Sequence, residues 1–509
     1  MAMAATMATH HEQYHQIVLA KNGMIDKNHH HPSGGSPVKK LENGWQEALI
    51  TEYFENGGAT IYIPRIINGW LDQEHHSIGS ATKKNHHHLQ QHQRGKVCVL
   101  SIDGGGMRGI IPAKLLAHLE RLLQLKTGDS SARIVDFFDI VAGSNVGGMI
   151  GTMLFTGKGG SDSNRPLFSA EEAWSIIAHK GRSIFKRRIE ELKAPASSHP
   201  APKRGFLRKL FSRRKKNPAA AATGTVPGAT PRGTAGCTGP KFSTDGLDAV
   251  LRDMLGDRTL RDTLKPVLVP CYDLATSAPF LFSRAGALES AAWDFRLSDV
   301  CRAASATPGL FPPAAVASVD GTTRCTAVDA GMVMNNPAAA AMTHVLHNGE
   351  EFPAVRDAGD VLLLSLGSGV FERRYDKGVA DWGPCQWARP AAEIVLDNVS
   401  DMVDQMLAMA YASSAGRENY LRLQTVMPAS GYPAESDDPS DSNIKRLASV
   451  ADELLEQKAM EHMGFGGMRA LQQTNAERLD WFAEQLIQEQ RARALRSSPT
   501  VLLKKPKPH

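Results

Sequence analysis

Three short stretches of the chain hold residues whose types and spacing can do chemistry. "GSNVGG" at 143–148 has the frame Gly-x-Ser-x-Gly, the turn that presents a serine nucleophile, with Asn145 in the serine's slot. "DGGGMRG" at 103–109 sets three successive glycines before a helix start. Glycines leave backbone N–H groups open, and a helix start adds unpaired N–H groups and a positive dipole end. Together they favour an anion, either a phosphate or a reaction oxyanion. "VDAGMVMNNP" at 328–337 places Asp329 after an apolar segment and before small residues, where it reads equally as a general base or as a turn cap. The nearby Asp320-Gly321 reads as a hairpin turn and lacks the Asn-Asn-Pro sequel.

The glycine loop has rival readings. Gly104, Gly106 and Gly109 also spell G-x-G-x-x-G. A dinucleotide site wants an acid about twenty residues further on, at the end of a second strand. Here that region is the apolar helix pattern "LAHLERLLQL", so the oxyanion reading is preferred, with a plain tight turn as the remaining alternative. Arg108 either caps the loop with positive charge or faces solvent.

The elements that must position these residues alternate between strand and helix. "KVCVLSIDGGGMRGI" reads as a buried strand over 97–102 running into the loop, and "IPAKLLAHLERLLQL" has helical spacing. "IVDFFDIVAG" reads as a second strand leading into the Asn145 turn, and "GGMIGTMLF" begins another helix. The pattern resumes over 264–284 and again at "VLLLSLGSG" (361–369), while 386–425 and 444–495 read as helical. This is an α/β protein with a mainly parallel sheet. Its expected organisation is a His-rich low-complexity N-terminal region over 1–95, an α/β domain over 96–370 and a helical C-terminal extension over 371–509. A Pro-, Ala-, Gly- and Arg-rich insertion at about 194–240 interrupts the domain.

Composition bounds the rest. Twelve of the nineteen His fall in the first 95 residues without acidic or Cys partners at fixed spacing, which reads as a solvated tail in preference to a metal site. Six scattered Cys suggest neither zinc nor a disulfide framework and favour a reducing compartment. No secretory signal and no run of about 18 apolar residues is evident, so the expectation is a cytoplasmic protein whose membrane contact is peripheral. Between Arg182 and Lys216 thirteen Lys or Arg face two acids, so the net charge of +5 is local and the remainder is negative. Within "KRGFLRKLFSRRKK" (203–216), Lys203, Arg204, Arg208, Lys209, Arg213 and Arg214 flank Phe206 and Phe211 in the pattern of an interfacial helix for anionic lipid. Its rivals are a targeting or nucleic-acid patch and an inert charged loop.

In order and context, "DGGGMRG", "GSNVGG" and "DAGMVMNNP" resemble the patatin-like phospholipase family, as do "CRAASATPGLFPP" and "LVPCYDLATSAPFLFS". The likeness covers roughly residues 96 to 370. It implies a three-layer patatin-like fold and a Ser–Asp dyad without a catalytic His or a cofactor. By resemblance the amides of Gly105 and Gly106, with Arg108 nearby, form the oxyanion hole, and Asp329 is the base. The nucleophile position maps to Asn145, and Ala330 stands where Gly is usual. Plant members include a subgroup in which the nucleophile Ser is replaced, still generally described as lipid acyl hydrolases. The implied function is hydrolysis of phospholipid or galactolipid acyl esters at an anionic membrane surface, with no nucleic acid partner. The alternative is a silent lipid- or acyl-binding regulatory protein.

An elbow residue is expected at positive φ, where Gly is free and Asn is enriched among the rest, so Asn145 keeps the turn. A carboxamide cannot form an acyl-enzyme. The remaining routes are a water activated by Asp329 and, with less weight, substitution by Ser144, whose neighbouring position points it elsewhere.

Overall fold

The computed structural model describes residues 95–159, 164–187, 239–372, 379–412, 416–428, 436–462, 467–496 and 499–503. The His-rich region up to residue 94 lies outside them. So does the basic stretch that carries Lys203, Arg204, Phe206, Arg208, Lys209, Phe211, Arg213 and Arg214.

The strands are Val97–Ile102 (β1), Ile140–Gly143 (β2), Val267–Asp273 (β3), Ala278–Ser283 (β4), Ala314–Ala317 (β5), Arg324–Asp329 (β6), Val361–Leu366 (β7), Val370–Glu372 (β8), Tyr420–Leu423 (β9) and Val426–Pro428 (β10). β1 and β7 are buried at every position, as strands inside a parallel sheet must be. The sheet order is β5-β6-β3-β2-β1-β7-β9, with β4 also on β3. Neighbours from β3 through β9 are parallel, while β4 and β6 run antiparallel to β3, and β5 antiparallel to β6.

Side chains alternate across each strand, and the two faces fill two cores. Cys98, Leu100, Ile102, Leu362 and Leu364 face a layer formed by the helices Ile110–Thr127, Val146–Phe155, Asp441–Glu456 and Asn475–Leu495. Val97, Val99, Ile140 and Leu363 face Ala338–His347 and the end of Pro384–Ala412, through Ala341, Leu407 and Tyr411. The result is three layers, helix–sheet–helix, as expected for the fold.

Two local expectations differ. Of "IVDFFDIVAG" only Ile140–Gly143 is strand. Ile134–Phe137 is a helical turn, held by the Arg133 N–H donating to Asp136 Oδ2 at 2.7 Å. Residues 444–495 are not helical throughout, because the hairpin Lys458–His462 with Met468–Thr474 separates two helices. The segment after residue 370 also supplies β9, an edge of the main sheet.

Register brings the chemistry-bearing segments to one edge. Ile102 pairs with Gly143, so the glycine loop leaving β1 and the turn leaving β2 emerge side by side. Val141 pairs with Val267, and Cys271 pairs with Asp329. Continuing the same register, Asn145 falls level with Cys271 and so with Asp329. The Asn145 turn packs directly onto β1. A Cβ on Gly147 would lie 2.3 Å from the Ile102 carbonyl oxygen, and one on Gly143 would lie 2.2 Å from that of Gly147. These approaches require glycine at both ends of the five-residue frame.

A buried ion pair ties β1 to β9. Arg422 Nη1 and Nη2 donate to the two oxygens of Asp103 at 2.9 and 2.7 Å, and Nη1 also donates to Ser365 Oγ at 2.8 Å. Both side chains are almost fully buried. Burial opposes the charge on Arg422, and the Asp103 carboxylate raises its pKa above the usual arginine range. A pair of this kind matters most when half of it is removed, since the other charge is then stranded. Arg422→Met is expected to lower folding stability by about 3–5 kcal/mol, read as a fall in the urea midpoint. An unchanged midpoint would mean that the pair does not anchor the loop.

Candidate active site

Asn145 follows β2 and caps the helix Val146–Phe155 with φ 50° and ψ −123°. The φ is positive, as expected of an elbow. The ψ is not, because the left-handed well that Asn favours lies at ψ of about +30 to +60°. Asparagine's ordinary preference therefore does not account for the residue here. Its side-chain bonds do. Oδ1 accepts from the Val146 N–H at 2.7 Å and from the Gly106 N–H at 3.2 Å. Nδ2 donates to Asp329 Oδ2 at 2.9 Å and to Thr307 Oγ1 at 3.1 Å. Strain of about 1–3 kcal/mol at such a backbone angle is offset by these contacts.

The glycine loop is built to meet that side chain. Gly106 has φ 56°, and a Cβ there would lie 2.1 Å from the Ser436 carbonyl oxygen, so no side chain fits. Met107 N–H donates to that same oxygen at 2.7 Å, Gly104 N–H donates to the Asn335 carbonyl at 3.2 Å, and Ser368 Oγ donates to the Gly104 carbonyl. Gly105 and Gly106 line the same cavity as Asn145 and Asp329. Arg108 lines it as well, but its Nη1 donates to the Gly369 carbonyl at 2.7 Å and its guanidinium lies over the Phe371 ring. Arg108 is thus half-buried at the cavity's edge, beside Gly105 and Gly106.

Asp329 ends β6, buried with 9% exposure. Oδ1 accepts from the Gly331 N–H at 3.0 Å, and Oδ2 from Thr307 Oγ1 at 2.8 Å as well as from Asn145. Burial pushes its pKa up to about 6, against the lowering effect of the bonds from Thr307, Gly331 and Asn145. Because the folded value lies above the unfolded one, stability is lost as pH rises from about 4 through 6. The loss reaches about 3 kcal/mol once Asp329 is ionised. The buried position of this carboxylate therefore costs stability once it is ionised.

Ser144 is fully buried, its Oγ has no hydrogen-bond partner among the described residues, and it does not line the cavity. Asp320 accepts from Thr322 N–H and Ser318 Oγ in an exposed turn, away from the site.

The cavity, of about 170 Å³, is polar at the Gly106–Asn145–Asp329 end, and its walls include Met107, Met149, Ile177, Phe185 and Leu310. Thr307, which touches both Asn145 and Asp329, was not singled out from sequence, although it lies within "CRAASATPGLFPP". Asn335 lines the cavity and donates to Ser400 Oγ at 2.9 Å, while Asn336 Oδ1 accepts from the Ala338 N–H at 3.1 Å. "NNP" thus joins the site to the helix Pro384–Ala412 and starts the helix Ala338–His347. Among the described residues no group of three or more metal-ligating side chains forms, and no helix is long and apolar enough to cross a membrane.

Residues 100–342 match the family model described as patatin-like phospholipase. The chain is 45% identical to Patatin-like protein 6 of Arabidopsis thaliana, over 81% of its own length and 76% of that protein. It is 44% identical to Patatin-like protein 7 of the same plant, over 81% and 77% of the two chains. It is also 40% identical to a third Arabidopsis thaliana protein, named Probable inactive patatin-like protein 9, over 77% and 86%. The family model's span takes in the glycine loop, the Asn145 turn and Asp329, and the chain belongs to the patatin-like phospholipase family, whose general activity is lipid acyl hydrolysis.

Proposed function

We propose that this chain hydrolyses acyl esters of phospholipids or galactolipids by direct attack of water, without an acyl-enzyme. The observation that carries this reading is Asp329. It is a buried carboxylate whose pKa burial pushes up to about 6, lining the same cavity as the glycine loop. In the proposed step Asp329 takes a proton from water as the water oxygen bonds to the ester carbonyl carbon. The oxyanion accepts from the Gly105 and Gly106 amides. Collapse breaks the bond to the alcohol oxygen, which takes the proton back from Asp329. Asn145 Nδ2 orients the carboxylate, and Oδ1 yields Gly106 N–H to the substrate. Ser144 has no part in this reaction, being sealed from the cavity. Loss of a triad leaves about 10³–10⁴-fold catalysis over water, and turnover of that order is the expectation.

A second reading has its own support. The Gly106 N–H is already occupied by Asn145 Oδ1, so the carboxamide fills the place an oxyanion needs. On that reading the protein binds acyl lipid without turnover.

Two measurements separate them. Purified protein should release fatty acid from phosphatidylcholine or galactolipid, and Asp329→Ala should lose at least about 10²-fold. Turnover equal in both proteins, or none in the wild type, contradicts the water mechanism. Asn145→Ser should gain reaction with a fluorophosphonate that wild type does not show, because the elbow would then hold a hydroxyl beside Asp329. For pH, kcat/KM should rise as pH increases through about 6, as Asp329 ionises. Thr307→Val removes a bond to the ionised form and should move that midpoint to higher pH. A downward move or none contradicts the assignment of Asp329 as the base.

A further inference from the structure

Asp329 borders two cavities. One is the cavity of the glycine loop and Asn145. The other, of about 670 Å³, lies on the far side of Phe311, and Phe311 and Asp329 are the two residues that line both. Tyr272, Leu274, Pro308, Pro312, Met332 and Val333 line the second groove, in which Asp329 carries the only charge among the described residues. It opens at the surface, where Leu274, Met332 and Val333 are 47%, 48% and 41% exposed. Met332 and Val333 belong to the short helix Gly331–Met334, which begins two residues after Asp329, and Leu274 directly follows the end of β3. Exposed apolar side chains gathered in one groove are unusual unless something covers them.

We propose that this groove is a second acyl-chain subsite. It takes the uncleaved hydrocarbon chain of a two-chain lipid, while the ester of the other chain lies between Gly106 and Asp329. The assignment rests on the acyl-ester reading given above and narrows it to diacyl substrates. Three features select this occupant. The groove adjoins the reaction cavity, with Asp329 and Phe311 lining both, so a ligand reaching both must branch within a few bonds of the ester. Among the described residues its wall is mainly carbon and offers no cation for a phosphate or sugar headgroup. Its mouth is open, so a chain can enter without a change of fold. A glycerol backbone carrying two acyl esters has that branched form.

Non-hydrolysable ethers test the groove apart from turnover. A short-chain diether phosphatidylcholine and its monoether counterpart, both below their micelle concentrations, are titrated calorimetrically into the full-length protein. Wild type should bind the diether about tenfold or more tightly than the monoether, since two buried methylenes already supply that factor. Val333→Asp and Leu274→Asp should bring the ratio towards one, and Met332→Trp, which fills the groove without adding charge, should do the same if either charged variant fails to fold. Equal affinities in wild type, or a ratio that none of the three variants changes, overturns the proposal. So does a ratio of one accompanied by vesicle binding or self-association that these variants abolish, because the groove is then a docking surface for a bilayer or a second copy. A high ratio without ester turnover contradicts the hydrolase reading and leaves the subsite standing, whereas turnover with a ratio of one does the reverse.

Discussion

One carboxamide joins the three segments on which the site depends. Asn145 Oδ1 receives the Gly106 N–H from the loop after β1 and the Val146 N–H from its own helix. Its Nδ2 reaches Asp329 at the end of β6. Nδ2 also donates to Thr307 Oγ1, a second donation that a hydroxyl, with a single hydrogen to give, could not add to the one it made to Asp329. The carboxamide at this position therefore acts as a brace. It also explains how a backbone with φ 50° and ψ −123° persists at a residue other than glycine. The conformation is sparsely populated, and it is held by surroundings that over-determine it.

The brace works because the frame beneath it is rigid. Gly143 and Gly147 let the helix start touch β1, and the register of β1, β2 and β3 puts Asn145 level with Asp329. Asp103, the first residue of the glycine loop, is fixed by Arg422, which lies 319 residues further along the chain. The family match ends at residue 342, but the ion pair that steadies its glycine loop comes from beyond it. The net stability gained from a buried pair is small, because desolvation offsets the attraction between its charges. Here the pair places the amides that face the cavity.

Much of this was legible in the sequence, for physical reasons that differ by residue. The strand at 97–102 and the strand within 361–369 read clearly because strands buried on both faces are unbroken apolar runs. The five-residue frame around Asn145 and the glycines of the loop read clearly because close backbone contact admits no other residue. Asp329 was found, with its role as base or cap left open. The structure gives the carboxylate contacts of both kinds, since Gly331 N–H caps Oδ1 while Oδ2 faces Asn145. Arg422 and Thr307 were not found. Nothing local in "YLRLQT" marks an arginine that pairs across the sheet, and a threonine two residues before a glycine reads as turn chemistry. The strand at 420–423 was hidden for a related cause. It is a short edge element in a stretch whose spacing also fits a helix, and only its pairing with β7 decides the matter.

The central claim is that Asn145 and Asp329 are coupled, and a double-mutant cycle measures this directly. Folding stabilities of wild type, Asn145→Ala, Asp329→Ala and the double variant are compared by urea unfolding at pH 7.5 and again at pH 5. A hydrogen bond to a charged group predicts a coupling of about 1.5–3 kcal/mol at the higher pH. It should shrink at the lower pH, where Asp329 is protonated. Additivity within about 0.3–0.5 kcal/mol at pH 7.5 would contradict the account.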